Sequence, residues 1–425
     1  MKNQRISLLG VIVLAALTAP SAHAIDVTAG QWTLSFDGNV NANYIYSSCK
    51  DHNVVAGGLA CVSDTTSDTS SSVSNGLLPA ALTVSGATTQ DGLNLGFTFG
   101  LYPGISTNDG GSPNLQNIAN TDLGHTALGT AGLDVRQVFL TVGSSWGTIM
   151  AGRNIGLFAA DAILNDMTLL GVGAGNGNYA APANTSLGSI GLGYIYTDWL
   201  SQINYTTPSM GGAKVTFGIF DPLNTLGQVP ANHSTPGFQA KIAYTVGSLY
   251  LSASGLYQQQ RVLCGNLAAG ACIAASPAGS YVSYGSSAFD LGGKYDIGGF
   301  EVMGWYYRGK GVGTTGLFVN SNDAMGTSRD SDGYLAQVTY KIVNTKVGLN
   351  YGVSNLDGTA LDRGTFCGGV FGCLVKRNDK WSLGLYQNMT ANLLFVAEFS
   401  RLQSKSDADQ TNSSWNLNAG LFLKF

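Results

Sequence analysis

From residue 31 onward, apolar and polar residues alternate along the chain in runs of about ten. Trp32, Leu34, Phe36, Val40, Ala42 and Tyr44 fall on one parity, and Gln31, Thr33, Ser35, Asp37, Asn39, Asn41 and Asn43 on the other. Near the end, Trp415, Leu417, Ala419, Leu421, Leu423 and Phe425 oppose Asn416, Asn418, Gly420, Phe422 and Lys424, with Phe422 as the exception. Side chains of a strand point to opposite faces with period two, so each run is expected to be a strand with one apolar and one polar face. Fourteen further strands are expected near 75–86, 92–102, 133–143, 147–153, 197–207, 213–221, 236–246, 248–262, 286–297, 300–312, 332–343, 346–356, 379–390 and 392–405. The pattern is poor over 133–143 and 147–153.

The connections alternate as well. Short turns such as Gly143-Ser144-Ser145, Gly298-Gly299, Asn344-Thr345 and Ala391-Asn392 take turns with long polar segments near 47–74, 103–132, 154–196, 222–235, 263–285, 313–331, 357–378 and 406–413. Transmembrane barrels have this asymmetry, and both chain ends on the short-turn side require an even strand count. Sixteen strands meet that requirement. A soluble sandwich would need a second sheet over its apolar face and charge on the other. Here the polar face is mostly Asn, Gln, Ser, Thr and Gly, which suits a water-filled lumen inside an apolar wall. The expectation is an all-β fold: one 16-stranded antiparallel transmembrane β-barrel over 25–425, with no linker dividing it.

Composition sharpens this. Of 425 residues, 44% are hydrophobic and only 11% charged, too few charges for an ordinary soluble surface. Past residue 20 no apolar run reaches the length of a spanning helix. The net charge of −4 leaves no basic footprint for nucleic acid. Residues 1–24 read as a cleaved secretory signal: Lys2 and Arg5, an apolar run from Leu8 to Leu17, then Ala22-His23-Ala24. Its removal takes away two basic residues and no acid, leaving 19 basic against 25 acidic groups, a net charge of −6. The six cysteines form three close pairs, Cys49 with Cys61, Cys264 with Cys272, and Cys367 with Cys373. In an oxidising compartment three local disulfides are expected. A metal site lacks its signature, since no CxxC spacing occurs and no histidine is near the second or third pair.

Enzyme motifs carry little here. Gly143-Ser144-Ser145-Trp146-Gly147 fits the hydrolase elbow pattern but joins two strands. Gly311-Val312-Gly313-Thr314-Thr315-Gly316 fits the dinucleotide pattern with no helix after it. His52, His125 and His233 fall in loops without pairing spacing. Asp330-Ser331-Asp332-Gly333 with Asp323 offers oxygen ligands for calcium but lacks the rest of an EF-hand loop. No catalysis, cofactor or resident metal is expected. The long segment 154–196 is different. Ala160 to Leu170 is apolar at helical spacing with Asp161 and Asp166 interspersed, as in a short helix against the inner wall with its acids turned to water.

At this point the residues resemble a family. Gly152-Arg153-Asn154-Ile155-Gly156-Leu157-Phe158, running into Asp161-Ala162-Ile163-Leu164-Asn165-Asp166-Met167, is similar to the passage from strand into third loop of Gram-negative general porins. Phe425, closing an alternating strand, is similar to the signal read there by the barrel-assembly machinery. The resemblance implies a homotrimer in the Gram-negative outer membrane, in contact with lipid and lipopolysaccharide, with a constriction loop folded into each lumen. It implies a transverse field between acids on that loop, Asp161 and Asp166, and bases opposite, Arg136 and Arg153. The strand at 75–86, where the family commonly has another base, reads Leu78-Pro79-Ala80-Ala81-Leu82 and has none. Strand parity adds Lys214, Lys241, Lys294 and Lys341 to the lumen wall as bases, with Asp37, Asp290, Glu301 and Glu398 as acids. The expected function is passive diffusion of small hydrophilic solutes and ions. A substrate-specific channel, or a plugged barrel serving as an adhesin, are the alternatives.

Overall fold

In the computed structural model, the residues described are 25–61, 68–105, 133–175, 185–224, 232–263, 281–323, 325–367 and 370–425. A single sheet of eighteen hydrogen-bonded segments closes on itself, each joined antiparallel to its neighbours. Sixteen are the staves of a barrel. The count of eighteen arises because the second stave is in two pieces, Thr69–Ser74 and Ala81–Gln90, and because a short strand, Ile25–Ala29, pairs with the start of the first stave. The seam joins the first stave, Trp32–Lys50, to the last, Thr411–Lys424, from Asn39 opposite Lys424 to Lys50 opposite Ser413.

The alternation reports the two faces correctly. Val40, Tyr44, Phe99, Phe217, Phe289, Val302, Leu383 and Leu417 are exposed on the outside, while Asn41, Asn43, Gln239, Ser252, Ser400 and Asn418 point inward. An exposed apolar band of this extent is stable only against lipid. At the short-turn end, Asp91-Gly92 and Gly298-Gly299 both have positive φ at their two central residues, as tight hairpins matched to strand twist require.

Three local departures have physical reasons. The second stave breaks at 75–80 because Pro79 has no amide to give the ladder, and the freed segment bends into the lumen. There the Asn41 amide donates to the carbonyl oxygens of Leu78 (3.0 Å) and Pro79 (3.3 Å), and Leu77 N donates to Gly171 O (2.7 Å). In the strand Leu133–Ser144 the pairing steps from Gln137 opposite Gly100 to Val135 opposite Leu101, leaving Arg136 unpaired in a bulge. Arg136 and Gln137 therefore both turn inward, which explains the poor alternation there. Finally, 311–323 does not stand outside the barrel as its polarity suggested. Val312, Thr314, Leu317, Phe318 and Ser321 are all buried within it.

The seam is closed at its lower end by Gly38 and Phe425, which exchange two backbone bonds of 3.0 Å each. A β-carbon on Gly38 would lie under 3.0 Å from both Ala81 O and the Phe425 ring. Gly38→Val is thus expected to lower the yield of folded barrel, measured by heat-modifiable gel migration. Wild-type yield would show that the ring does not seat on this glycine.

Candidate functional site: the lumen and its inward loop

Between the fifth stave, Gly147–Ile155, and the sixth, Trp199–Thr206, residues 156–175 and 185–198 lie inside the barrel. A six-residue helix, Ala160–Asn165, follows Ala159, whose φ is +60°. A turn of 3₁₀ helix, Met167–Leu170, is capped by the Asp166 carboxylate accepting from Thr168 N at 2.9 Å. The expected helix is present, but its acids do not face water. Such a short helix lies against the wall over most of its circumference, so Asp161 and Asp166 are both buried.

Asp161 pairs with Lys241 Nζ at 3.0 Å and accepts from Tyr250 (2.8 Å) and Ser252 (2.6 Å). Burial alone would raise its pKa, but the Lys241 ammonium and the two hydroxyls hold it below the ordinary aspartate value. Besides capping the turn, Asp166 accepts from the Tyr194 hydroxyl at 2.9 Å and from Asn350 at 3.3 Å. Across the lumen, the Arg136 guanidinium is also satisfied. It donates to Asp134 at 3.0 Å and lies over the rings of Tyr102 (5.1 Å) and Trp199 (5.6 Å).

Arg153 belongs elsewhere. The ladder sets it opposite Val138 and Ser201, on the outward face, and its Nε donates to Val135 O at 3.1 Å. Its parity is that of Ile149, which is exposed on the outside.

The loop is tied to the wall strand by strand. Gln239 accepts from Leu157 N and Phe158 N (2.7 and 2.9 Å), and Gln337 from Met167 N (2.7 Å). Glu398 Oε2 accepts from Val172 N and Gly173 N at 2.8 Å each, while Tyr386 donates to Oε1 at 2.6 Å. Asn416 bonds Gly173 O at 2.9 Å, and Ser354 accepts from Gly193 N at 3.0 Å. Two apolar clusters complete the packing. One joins Leu77, Ile163, Leu192 and Tyr194 to the inward residues Trp305, Leu335 and Leu402. The other joins Phe158 and Phe318 to Leu200, Phe220 and Leu256.

As a result the wall behind the loop is buried. Lys380, Ser382, Ser400 and Ser404 are fully buried although they lie on the lumen parity. Strand parity missed these filler positions, yet the sequence carried a signal for them. Leu200, Leu256, Trp305, Leu335 and Leu402 make their strands apolar on both faces, which a water-lined wall does not need.

Of the other wall groups, Asp290 is buried, accepting from Trp305 Nε1 at 3.0 Å and from the Ser254 hydroxyl. Lys294 and Glu301 pair at 3.4 Å, and Lys214 and Lys341 are exposed. Asp37 is half-buried. Two further inward lysines, Lys346 and Lys424, were not among the expected wall groups.

Cys49 and Cys61 are joined, and Cys373 is also disulfide-bonded. Cys264 and Cys272 lie outside the described residues, as does His125. His52 bonds Asp68 at 2.6 Å, and His233 bonds Gln259 O at 2.9 Å. Gly143–Gly147 is a tight turn between strands. Asp323 is occupied by the amides of Met325 and Thr327 and by the Thr359 hydroxyl.

A closed barrel with an apolar exterior, a polar inner wall and a loop narrowing its lumen defines an outer-membrane diffusion channel. The family model for Gram-negative porins matches residues 10–408, and the chain belongs to that family. It is a non-enzymatic porin of the Gram-negative outer membrane, a channel for diffusion of small solutes.

Among solved structures the fold is similar to the outer membrane channel DcaP of Acinetobacter baumannii, at 13% identity, TM-score 0.64, covering 94% of this chain and 99% of that one. It is also similar to an anion-selective porin from Comamonas acidovorans, at 16% identity, TM-score 0.60, covering 93% and 100%. A third is the trimer form of OmpT from Vibrio cholerae, at 15% identity, TM-score 0.54, covering 93% and 99%. No curated protein matches the chain.

Proposed function

We propose that the protein is exported with loss of residues 1–24 and works as a homotrimer of narrow, separate, passively conducting channels. In this reading Asp161, Asp166 and Arg136 are the pins that hold the constriction in shape: Asp161 and Arg136 are ion-paired, whereas Asp166 is met by uncharged donors. The observation that carries the trimer is Arg153 on the outer wall, six residues from the start of its strand and opposite the apolar Val138. A lipid-facing Arg costs up to about 2–4 kcal/mol at mid-depth in a barrel, so protein covers this sector more cheaply than lipid. The trimer form of the similar OmpT supports the same assembly.

Native mass spectrometry of protein extracted in detergent from outer membranes is expected to give the mass of three copies. Arg153→Glu should shift it towards single copies. A single-copy mass for the unaltered protein would overturn the trimer.

A further inference from the structure

Between the strands Phe300–Lys310 and Asp330–Ile342, residues 311–323 enter the barrel from the long-loop end. Gly311 to Asn322 carry no charge, and Val312, Leu317 and Phe318 share an apolar cluster with Phe158 and Ile195 of the inward loop. The two segments also share backbone bonds. Tyr196 N donates to Thr315 O at 2.7 Å, and Leu317 N donates to Tyr196 O at 3.2 Å. Close by in the chain is Tyr194, whose hydroxyl bonds Asp166. Displacing 311–323 therefore disturbs the constriction next to one of its pins.

The shape of this segment is imposed on it. Phe318 is 2% exposed with φ at +66°, and Asn320 has φ at +58°. A bulky side chain in the left-handed region carries strain, which persists only where the surroundings hold it. The holding contact lies outside the strand ladder. Arg329 forks onto Asp362, with Nε to Oδ2 at 2.8 Å and Nη2 to Oδ1 at 2.6 Å. Its Nη1 donates to Asn320 O at 3.1 Å. Asp362 is itself fixed in a capping box with Thr359 at the start of the short helix Ala360–Gly364. The Thr359 hydroxyl in turn donates to Asp323 at 2.8 Å. One network thus ties the segment to the connection that follows the strand Thr345–Asp357.

A forked Arg–carboxylate pair is directional as well as strong. Both members are 8% exposed, and removing one leaves the other charge buried without compensation. That cost can be relieved locally. The ladder between Phe300–Lys310 and Asp330–Ile342 is formed by backbone groups, so the segment can swing out while the barrel stays closed.

We propose, on the basis of the channel reading, that residues 311–323 are a strap over the inward loop and that Arg329 and Asp362 are positioning residues for the constriction. The strap keeps the stretch around Tyr196 in place, so the two segments together set the size limit for hydrophilic solutes. Unfastening it from the outer end widens the passage, although both charged groups are buried.

The test is single-channel conductance in KCl, with liposome swelling in glucose and in the trisaccharide raffinose. It compares the wild type with R329A, D362N, G352L and R329A/G352L. R329A and D362N should each raise conductance roughly twofold and speed raffinose entry relative to glucose. In the G352L background R329A should add little, because the stretch under the strap has already left the wall. Wild-type conductance and sugar ratio in either R329A or D362N, once folded, would overturn the proposal. So would an equal factor from R329A in the wild-type and G352L backgrounds, which would mark the two segments as independent. Heat-modifiable gel migration shows which barrels fold. D362N keeps the size of the capping side chain and carries the test if R329A does not fold. No conductance in the wild type or any variant would remove the channel reading together with the strap.

Discussion

Replacing Glu398 with alanine is expected to release the second half of the inward loop and raise single-channel conductance severalfold. Glu398 is 2% exposed and accepts from Val172 N, Gly173 N, Tyr386 Oη and Asn418 Nδ2. Removing the carboxylate leaves these donors buried without an acceptor, at about 1–3 kcal/mol each, unless water enters and the loop lifts away. The ladder of the strand Leu393–Ser406 does not pass through this side chain, so the barrel should still close. Glu398→Gln keeps an acceptor oxygen and the same shape, and its conductance should stay near wild type. Equal conductance in the alanine variant and the wild type would mean that the loop is not held there.

Gly352→Leu should have the larger effect of the two, because a steric clash cannot be relieved by water. Gly352 lies on the strand Thr345–Asp357 with its α-carbon facing the loop. A β-carbon there would stand under 3.0 Å from the Leu192 carbonyl oxygen, a backbone atom that cannot rotate aside. Seating the leucine requires residues 191–195 to leave the wall. That breaks the Gly193–Ser354 bond and strips Asp166 of the Tyr194 hydroxyl. The expected result is a folded barrel with a widened, noisier channel. Conductance and current noise equal to wild type would show that the loop tolerates displacement without opening a path.

The barrel was legible wherever one face meets lipid and the other a polar lumen. Trp32 to Tyr44 and Trp415 to Phe425 alternate cleanly for that reason. The pattern failed where a third surface intervenes. Leu335 and Leu402 are apolar on the inward parity because the loop, not water, covers them. Arg136 disturbed the period by occupying a bulge, which pairing geometry determines and composition does not. Pro79 marked a break that alternation alone read through.

The inward helix was visible in its apolar spacing, but the surroundings of its acids were not. Whether Asp161 meets water or Lys241 depends on strands about 80 residues further along, which no local pattern can report.

Ions are expected to pass through the gap that the packed inward loop leaves in the lumen. Single-channel recording of the wild type beside Gly352→Leu, in concentrated KCl, tests it most directly. Small, discrete, stable openings are expected for the wild type and clearly larger ones for the variant. A wild type that never conducts, or one whose conductance equals the variant's, would contradict it.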